Sequence, residues 1–198
     1  MTLAGDIDPR SLSRLPPVER EALDEQGRRL YDATVSPQGR TIVGLQGPGG
    51  IWLHSPELAA RVRAANQYLR YETDLGRRLT ELAILVTARE LDHQFEWTAH
   101  EPVALREGLD PAIIDIVKHR KPAAGLGERE TLIIDFGREL FRAKTVPSAT
   151  FARALAVFGR PGVVNLVTLM ASYAMTAVVL NAFDQQLRPG QEPLLPIP

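Results

Sequence analysis

From Ser55 to Phe183 the chain is written as one helix after another, and no hairpin or strand–helix–strand pattern interrupts the series. Ser55-Pro56-Glu57 offers a cap, a proline suited to the first helical position and an acidic first turn. Leu58, Val62, Ala65 and Leu69 then recur at helical spacing and predict the buried stripe of that helix. Thr80-Glu81 opens a strongly apolar segment, 82–88, which reads as a buried helix although Ile84-Leu85-Val86-Thr87 alone would pass for a strand. Asp92 is the expected cap of a helix over 93–107, with Gly108 as its terminating glycine. Asp110-Pro111 opens a helix through Val117, and further helices are expected over 127–142 and 148–158. A turn at Gly159-Arg160-Pro161-Gly162 leads into the last helix, from Val163 to about Phe183. That helix is apolar nearly all round, so it belongs in a core or a subunit interface. Leu166, Leu169, Met170, Tyr173, Ala177 and Leu180 make a continuous face that fits either place. Short connections between such helices indicate an all-α, multi-helix bundle.

The ends differ in character. Residues 1–35 read as an N-terminal extension with a short helix opening at Pro17-Val18-Glu19, its apolar face formed by Leu23, Leu30 and Tyr31. Residues 36–50, rich in glycine and proline, are a loop too long for an ordinary connection. The helical domain is therefore drawn over 36–198, ending in an irregular tail with prolines at 189, 193, 196 and 198.

Composition removes whole classes of function. With 23 basic and 24 acidic residues and no block of like charge, neither nucleic acid nor an anionic membrane surface is an expected partner. No apolar run is read as long enough to span a bilayer, and residues 1–10 lack a signal-peptide pattern, so a cytoplasmic protein is expected. The chain has no cysteine. Disulfides, thiolate metal sites, thioester chemistry and thiol peroxidase chemistry are thereby excluded for it.

His93, Glu96 and His100 stand at i, i+3 and i+7, within about 60° of one another on one helical face. Glu96 is placed to accept a hydrogen bond from His100, fixing its tautomer and raising its basicity. The arrangement suits acid–base work near neutral pH, and the start of the helix beside His93 offers free N–H groups to an anionic substrate group. The same spacing also fits an ordinary surface contact. One helix cannot surround a metal ion, and no second ligand cluster appears, so no metal is expected. Glu81 fits either a charge in the first turn of its helix or a chemical role. Arg89, with a buried stem, needs an acidic partner: Glu90, Asp92 or a substrate carboxylate.

The segment Glu81-Leu82-Ala83-Ile84-Leu85-Val86-Thr87-Ala88-Arg89, followed by Phe95-Glu96-Trp97-Thr98-Ala99-His100-Glu101, Ala104 and Gly108-Leu109, resembles the signature of the carboxymuconolactone decarboxylase and alkyl-hydroperoxidase-D-like family. Gly47-Pro48 with Trp52-Leu53-His54-Ser55-Pro56-Glu57-Leu58, and the ending Leu180-Asn181-Ala182-Phe183 with Pro189-Gly190 and Pro193, are similar to its longer, cysteine-free branch. The resemblance covers roughly residues 40 to 195 and implies an all-α fold that assembles into homotrimers or homohexamers. In the peroxidase-like branch a glutamate precedes a Cys-x-x-Cys-x-x-x-His motif. By that correspondence Glu81 matches the glutamate, His93 and Glu96 the two cysteines, and His100 the histidine. The redox pair is replaced, while the proton-relay residues are kept.

The resemblance thus implies a lyase without a cofactor, acting on a small carboxylated lactone or related enolisable acid. Its catalytic residues would be His100 as proton donor or relay, Glu96 orienting it, His93 on the substrate oxygen, and Glu81. Arg89, Trp52, Trp97, Gly47 and Pro48 are the expected substrate-binding residues, although core packing is the favoured reading of both tryptophans and a structural salt bridge fits Arg89 equally. The rivals are a binding or assembly protein on the same fold and, weakest, a peroxidase-like oxidoreductase without the usual cysteine pair. Gly47-Pro48-Gly49-Gly50 does not have the pattern of a dinucleotide-binding loop.

Overall fold

The computed structural model of the protein describes residues 5–197; the first four residues of the N-terminal extension and Pro198 of the proline-rich tail lie outside them. Among the described residues the fold is all-helical. A 3-10 turn at Arg20–Ala22 precedes α1 (Glu25–Val35), α2 (Pro48–Trp52), α3 (Pro56–Tyr71), α4 (Arg77–Glu90), α5 (Gln94–Arg106), α6 (Pro111–Lys118), α7 (Glu128–Ala143) and α8 (Ser148–Ala182). One isolated bridge, between Asp8 and Ser13, is the only extended pairing among those residues. Contacts gather the chain into two compact units, one running to Ala65 and including Val178–Gln191, the other Asn66–Ala177 together with the residues from Glu192 on. This division does not coincide with the 35/36 boundary drawn from sequence.

In the second unit α4 is the hub, packed on α5, α6 and α7. Every residue from Leu79 to Arg89 is buried, so the segment that could have passed for a strand is a core helix. Its neighbours present Leu132, Ile133, Ile134 and Phe136 from α7, and Leu166, Leu169 and Met170 from α8. α7 crosses close to α4 at Gly137, where an added Cβ would stand 2.5 Å from Val86 Cγ1. α6 begins as expected, with Asp110 accepting from the Ala112 N–H at 2.8 Å and Pro111 in the first turn. Residues from Glu192 on fold back onto α5. The Gln94 amide donates to the Leu195 carbonyl at 2.7 Å and accepts from the Leu194 and Leu195 N–H groups at 2.8 and 3.1 Å. Leu195 itself is buried in the core.

In the first unit Asp24 caps α1 by accepting from the Gly27 N–H at 2.7 Å. The N-terminal residues are tied to the segment after α8: the Arg14 N–H donates to Phe183 at 2.9 Å, and the Gln186 N–H to Leu12 at 2.8 Å. The glycine-rich stretch ends in α2, and Arg188 donates to Gln46 Oε1 at 2.7 Å within it.

Two expectations are corrected, and one is borne out. Along α3, Leu58 and Ala65 of the predicted stripe are exposed, and the buried positions are Ala59, Leu69 and Arg70. A charged residue is drawn inside there because a buried carboxylate waits for it, as described below. The two helices expected on either side of residue 159 are both present, joined end to end in α8 across a break where Gly159 adopts φ 67° and ψ 173°. The left-handed backbone there suits glycine. By length and composition α8 is also long and apolar enough to cross a membrane, contrary to the reading of the sequence; a core helix passes the same test. The six residues of its predicted face are all buried within the protomer, and the outward side carries Val164, Met175 and Val178 instead.

Candidate active site

The α4–α5 hairpin builds the site. α4 ends at Glu90, and Asp92 makes the reversal at φ 50°, a left-handed conformation that aspartate tolerates. His93, not Asp92, is the cap of α5: its Nδ1 accepts from the Glu96 N–H at 3.2 Å, and its own N–H donates to the Ala88 carbonyl at 2.8 Å. One of the N–H groups expected to meet an anion at this helix start is therefore already taken. Gly108 follows α5 at φ 81°, as its terminating glycine.

The hairpin sets Glu81 of α4 against His100 of α5. Glu81 Oε2 lies 2.7 Å from His100 Nδ1, and Glu81 is fully buried. His100 is thus oriented by Glu81 and not, as its spacing had indicated, by Glu96. Glu81 also accepts from Arg77 at 2.9 Å and, at 3.5 Å, from Arg70 of α3; Arg77 reaches on to Glu107 at 3.3 Å. Burial opposes the charge on Glu81, but the His100 ring and the two guanidinium groups outweigh it and bring its pKa down to about 2. Burial lowers the pKa of His100 against the pull of Glu81. The stable form is a Glu81 carboxylate accepting the Nδ1–H of a neutral imidazole, which leaves Nε2 as the basic nitrogen. Tyr173 of α8 meets the His100 ring edge-on, at 5.0 Å between centroids and 86° between planes, and burial raises its phenol so that it stays protonated.

Glu96, one turn before His100, is 3% exposed, and its Oε2 has no partner among the described residues. Burial pushes its carboxyl well above the usual carboxylate range, with Arg70 the only counterweight. The His100 imidazole and the Glu96 carboxyl, each pushed by burial toward its neutral form, lie a helical turn apart. The burial of His93, Glu96 and His100 is also incompatible with the ordinary surface contact that the spacing allowed.

Arg89 and Trp97, in the same unit, are engaged by other partners. Arg89 pairs with Asp92 at 3.2 Å and donates to the Pro196 carbonyl at 2.8 Å. It sits eight residues beyond Glu81 on α4, about 12 Å along the axis. Its structural salt bridge is the reading the geometry favours. Trp97 is fully buried in the core and donates its indole N–H to Glu101, beneath the Lys118 ammonium at 5.7 Å from the ring. Gly47, Pro48 and the half-buried Trp52 form the start and end of α2 in the first unit. Arg70 and Tyr173 were not singled out for chemistry from sequence. Arg70 follows a leucine in a helix of mixed composition, and Tyr173 reads as one more core residue. Among the described residues no three His, Cys, Asp or Glu side chains converge as a metal-ligand set would.

The all-helical architecture is alkyl-hydroperoxidase-D-like in fold. The architecture is similar to that of a solved alkylhydroperoxidase AhpD core, an uncharacterized peroxidase-related protein from Ralstonia eutropha JMP134. The TM-score is 0.70 at 17% identity, over 88% of this chain and 92% of that one. No curated protein matches the sequence. Residues 56–132, which span α3 to the start of α7 and hold Arg70, Glu81, Glu96 and His100, match the model of the carboxymuconolactone decarboxylase family.

Proposed function

We propose that the protein is a cofactor-independent lyase of the carboxy-lyase type, acting on a small carboxylated lactone or a related enolisable acid in the cytoplasm. The observation that carries this reading is the 2.7 Å Glu81–His100 pair with the buried Glu96 one turn away, whose Oε2 has no partner among the described residues. Loss of CO₂ from such a substrate leaves its electron pair delocalised into a conjugated carbonyl as an enolate. Glu96 delivers its proton to the carbon as the enolate collapses, and the neutral His100, held by Glu81, relays a solvent proton back to Glu96. Tyr173 closes the dry side of the imidazole. His93 serves the site by capping the helix that carries Glu96. The thiol route suggested by the peroxidase-related name of the structural relative is closed to this chain, which has no cysteine. Assembly into a homotrimer or homohexamer is part of the same proposal.

Turnover of a panel of carboxymuconolactone isomers, followed by CO₂ release, tests the reading. His100→Ala and Glu96→Gln are expected to lose activity in a wild type that decarboxylates at least one isomer. Full activity in either variant overturns the assignment.

A further inference from the structure

Two buried polar atoms beside the Glu81–His100 pair lack partners among the described residues: Arg70 Nε and Glu96 Oε2. The Arg70 side chain is 8% exposed. Its contact with Glu81 is long, 3.5 Å, because Glu81 is already engaged by Arg77 at 2.9 Å and by His100 at 2.7 Å. The charges are unevenly buried as well. Arg70 and Arg77 face one fully buried carboxylate, Glu81, while the second, Glu107, has a third of its side chain in solvent. A buried donor with no acceptor is costly, and native proteins keep one where something else comes to fill it. An N–H of a guanidinium and the O–H of a carboxylic acid are both donors, so the missing group is an oxygen acceptor, and a charged donor favours an anionic one. A carboxylate oxygen fits such a pair of donors, and its charge meets the guanidinium of Arg70.

We propose that Arg70 is the anion anchor of this site, its Nε–H and the Glu96 hydroxyl receiving one carboxylate oxygen of the substrate and holding its reacting carbon against Glu96. This assignment rests on the proton-transfer reading above and names the group by which the substrate is recognised. It moves the expected carboxylate contact from Arg89, already paired with Asp92, to a guanidinium that touches the Glu81 of the relay.

Acetate is the probe. The full-length protein, labelled with ¹⁵N-histidine, is titrated with sodium acetate against sodium chloride at matched ionic strength. His100 resonances are identified by their loss in His100→Asn. A saturable acetate-dependent displacement of the His100 ring signals is expected in the wild type, absent with chloride. Arg70→Gln is expected to abolish it. Arg70→Lys, which keeps the charge but not the Nε–H, is expected to weaken it about tenfold. If Arg70→Gln does not fold, Arg70→Lys decides alone. Silence of the wild type, or acetate binding as tight in Arg70→Lys as in the wild type, overturns the anchor. Acetate binding by a protein that decarboxylates no lactone keeps the anchor and removes the lyase; turnover with acetate silent does the reverse.

Discussion

Glu81 and His100, 19 positions apart in sequence, meet at 2.7 Å across the α4–α5 hairpin in the interior of the protein. Removing Glu81 takes away the carboxylate that His100 and Arg70 share. Glu81→Gln is expected to cost about 3–5 kcal/mol of stability, because Arg70 loses its only buried counter-charge. Urea unfolding at neutral pH measures it, and a loss under about 1 kcal/mol would show that Arg70 finds another partner.

The pH dependence of that loss has a defined direction. Glu81 is held at about 2 in the folded protein against an ordinary value of 4.5. Its stabilisation is therefore complete above about pH 4.5 and disappears as the pH falls toward 2, amounting to about 3 kcal/mol. Unfolding midpoints of wild type and Glu81→Gln are expected to converge through that interval.

Glu96 acts in the opposite sense. Its carboxyl is raised by burial, so the folded state holds a proton that the unfolded state gives up above about pH 4.5. Stability from this group is full below that pH and declines as the pH rises toward the folded value. Glu96→Gln is expected to flatten the decline and to raise stability at pH 7 while lowering turnover about 10²–10⁴-fold. Infrared difference spectra between wild type and variant are expected to show the carbonyl band of a protonated carboxylic acid at neutral pH.

Gly137 tests the hub itself. Alanine there would place its methyl 2.5 Å from Val86 Cγ1, and Met170 Cε stands 3.2 Å away on another side. Gly137→Ala is expected to destabilise the protein by about 1–3 kcal/mol. Val86→Ala in the same background is expected to recover part of the loss, read from a double-mutant cycle.

The fold was legible wherever local chemistry decides it. Asp110-Pro111, Gly108 and Gly159 mark boundaries because caps and left-handed turns are set by a few adjacent atoms. The His93/Glu96/His100 register was legible for the same reason, since helical spacing alone puts those residues on one face. The Glu81–His100 bond was not, because it depends on how two helices pair. A local rule awarded His100 to Glu96, its neighbour at i−4, while the hairpin gave it to Glu81. Arg70 was hidden by the same kind of event: no apolar pattern foresees a charged residue buried for the sake of a carboxylate on another helix. The cap of α5 was missed by one residue, because an imidazole took the place that aspartate fills more often.

Gln94, at the start of the helix that carries Glu96 and His100, is fastened to the backbone of Leu194 and Leu195. A ribosome must add about 90 residues after that helix before its fastening exists. The helix that carries Glu96 and His100 accordingly gains this support only after residues 194 and 195 have been made.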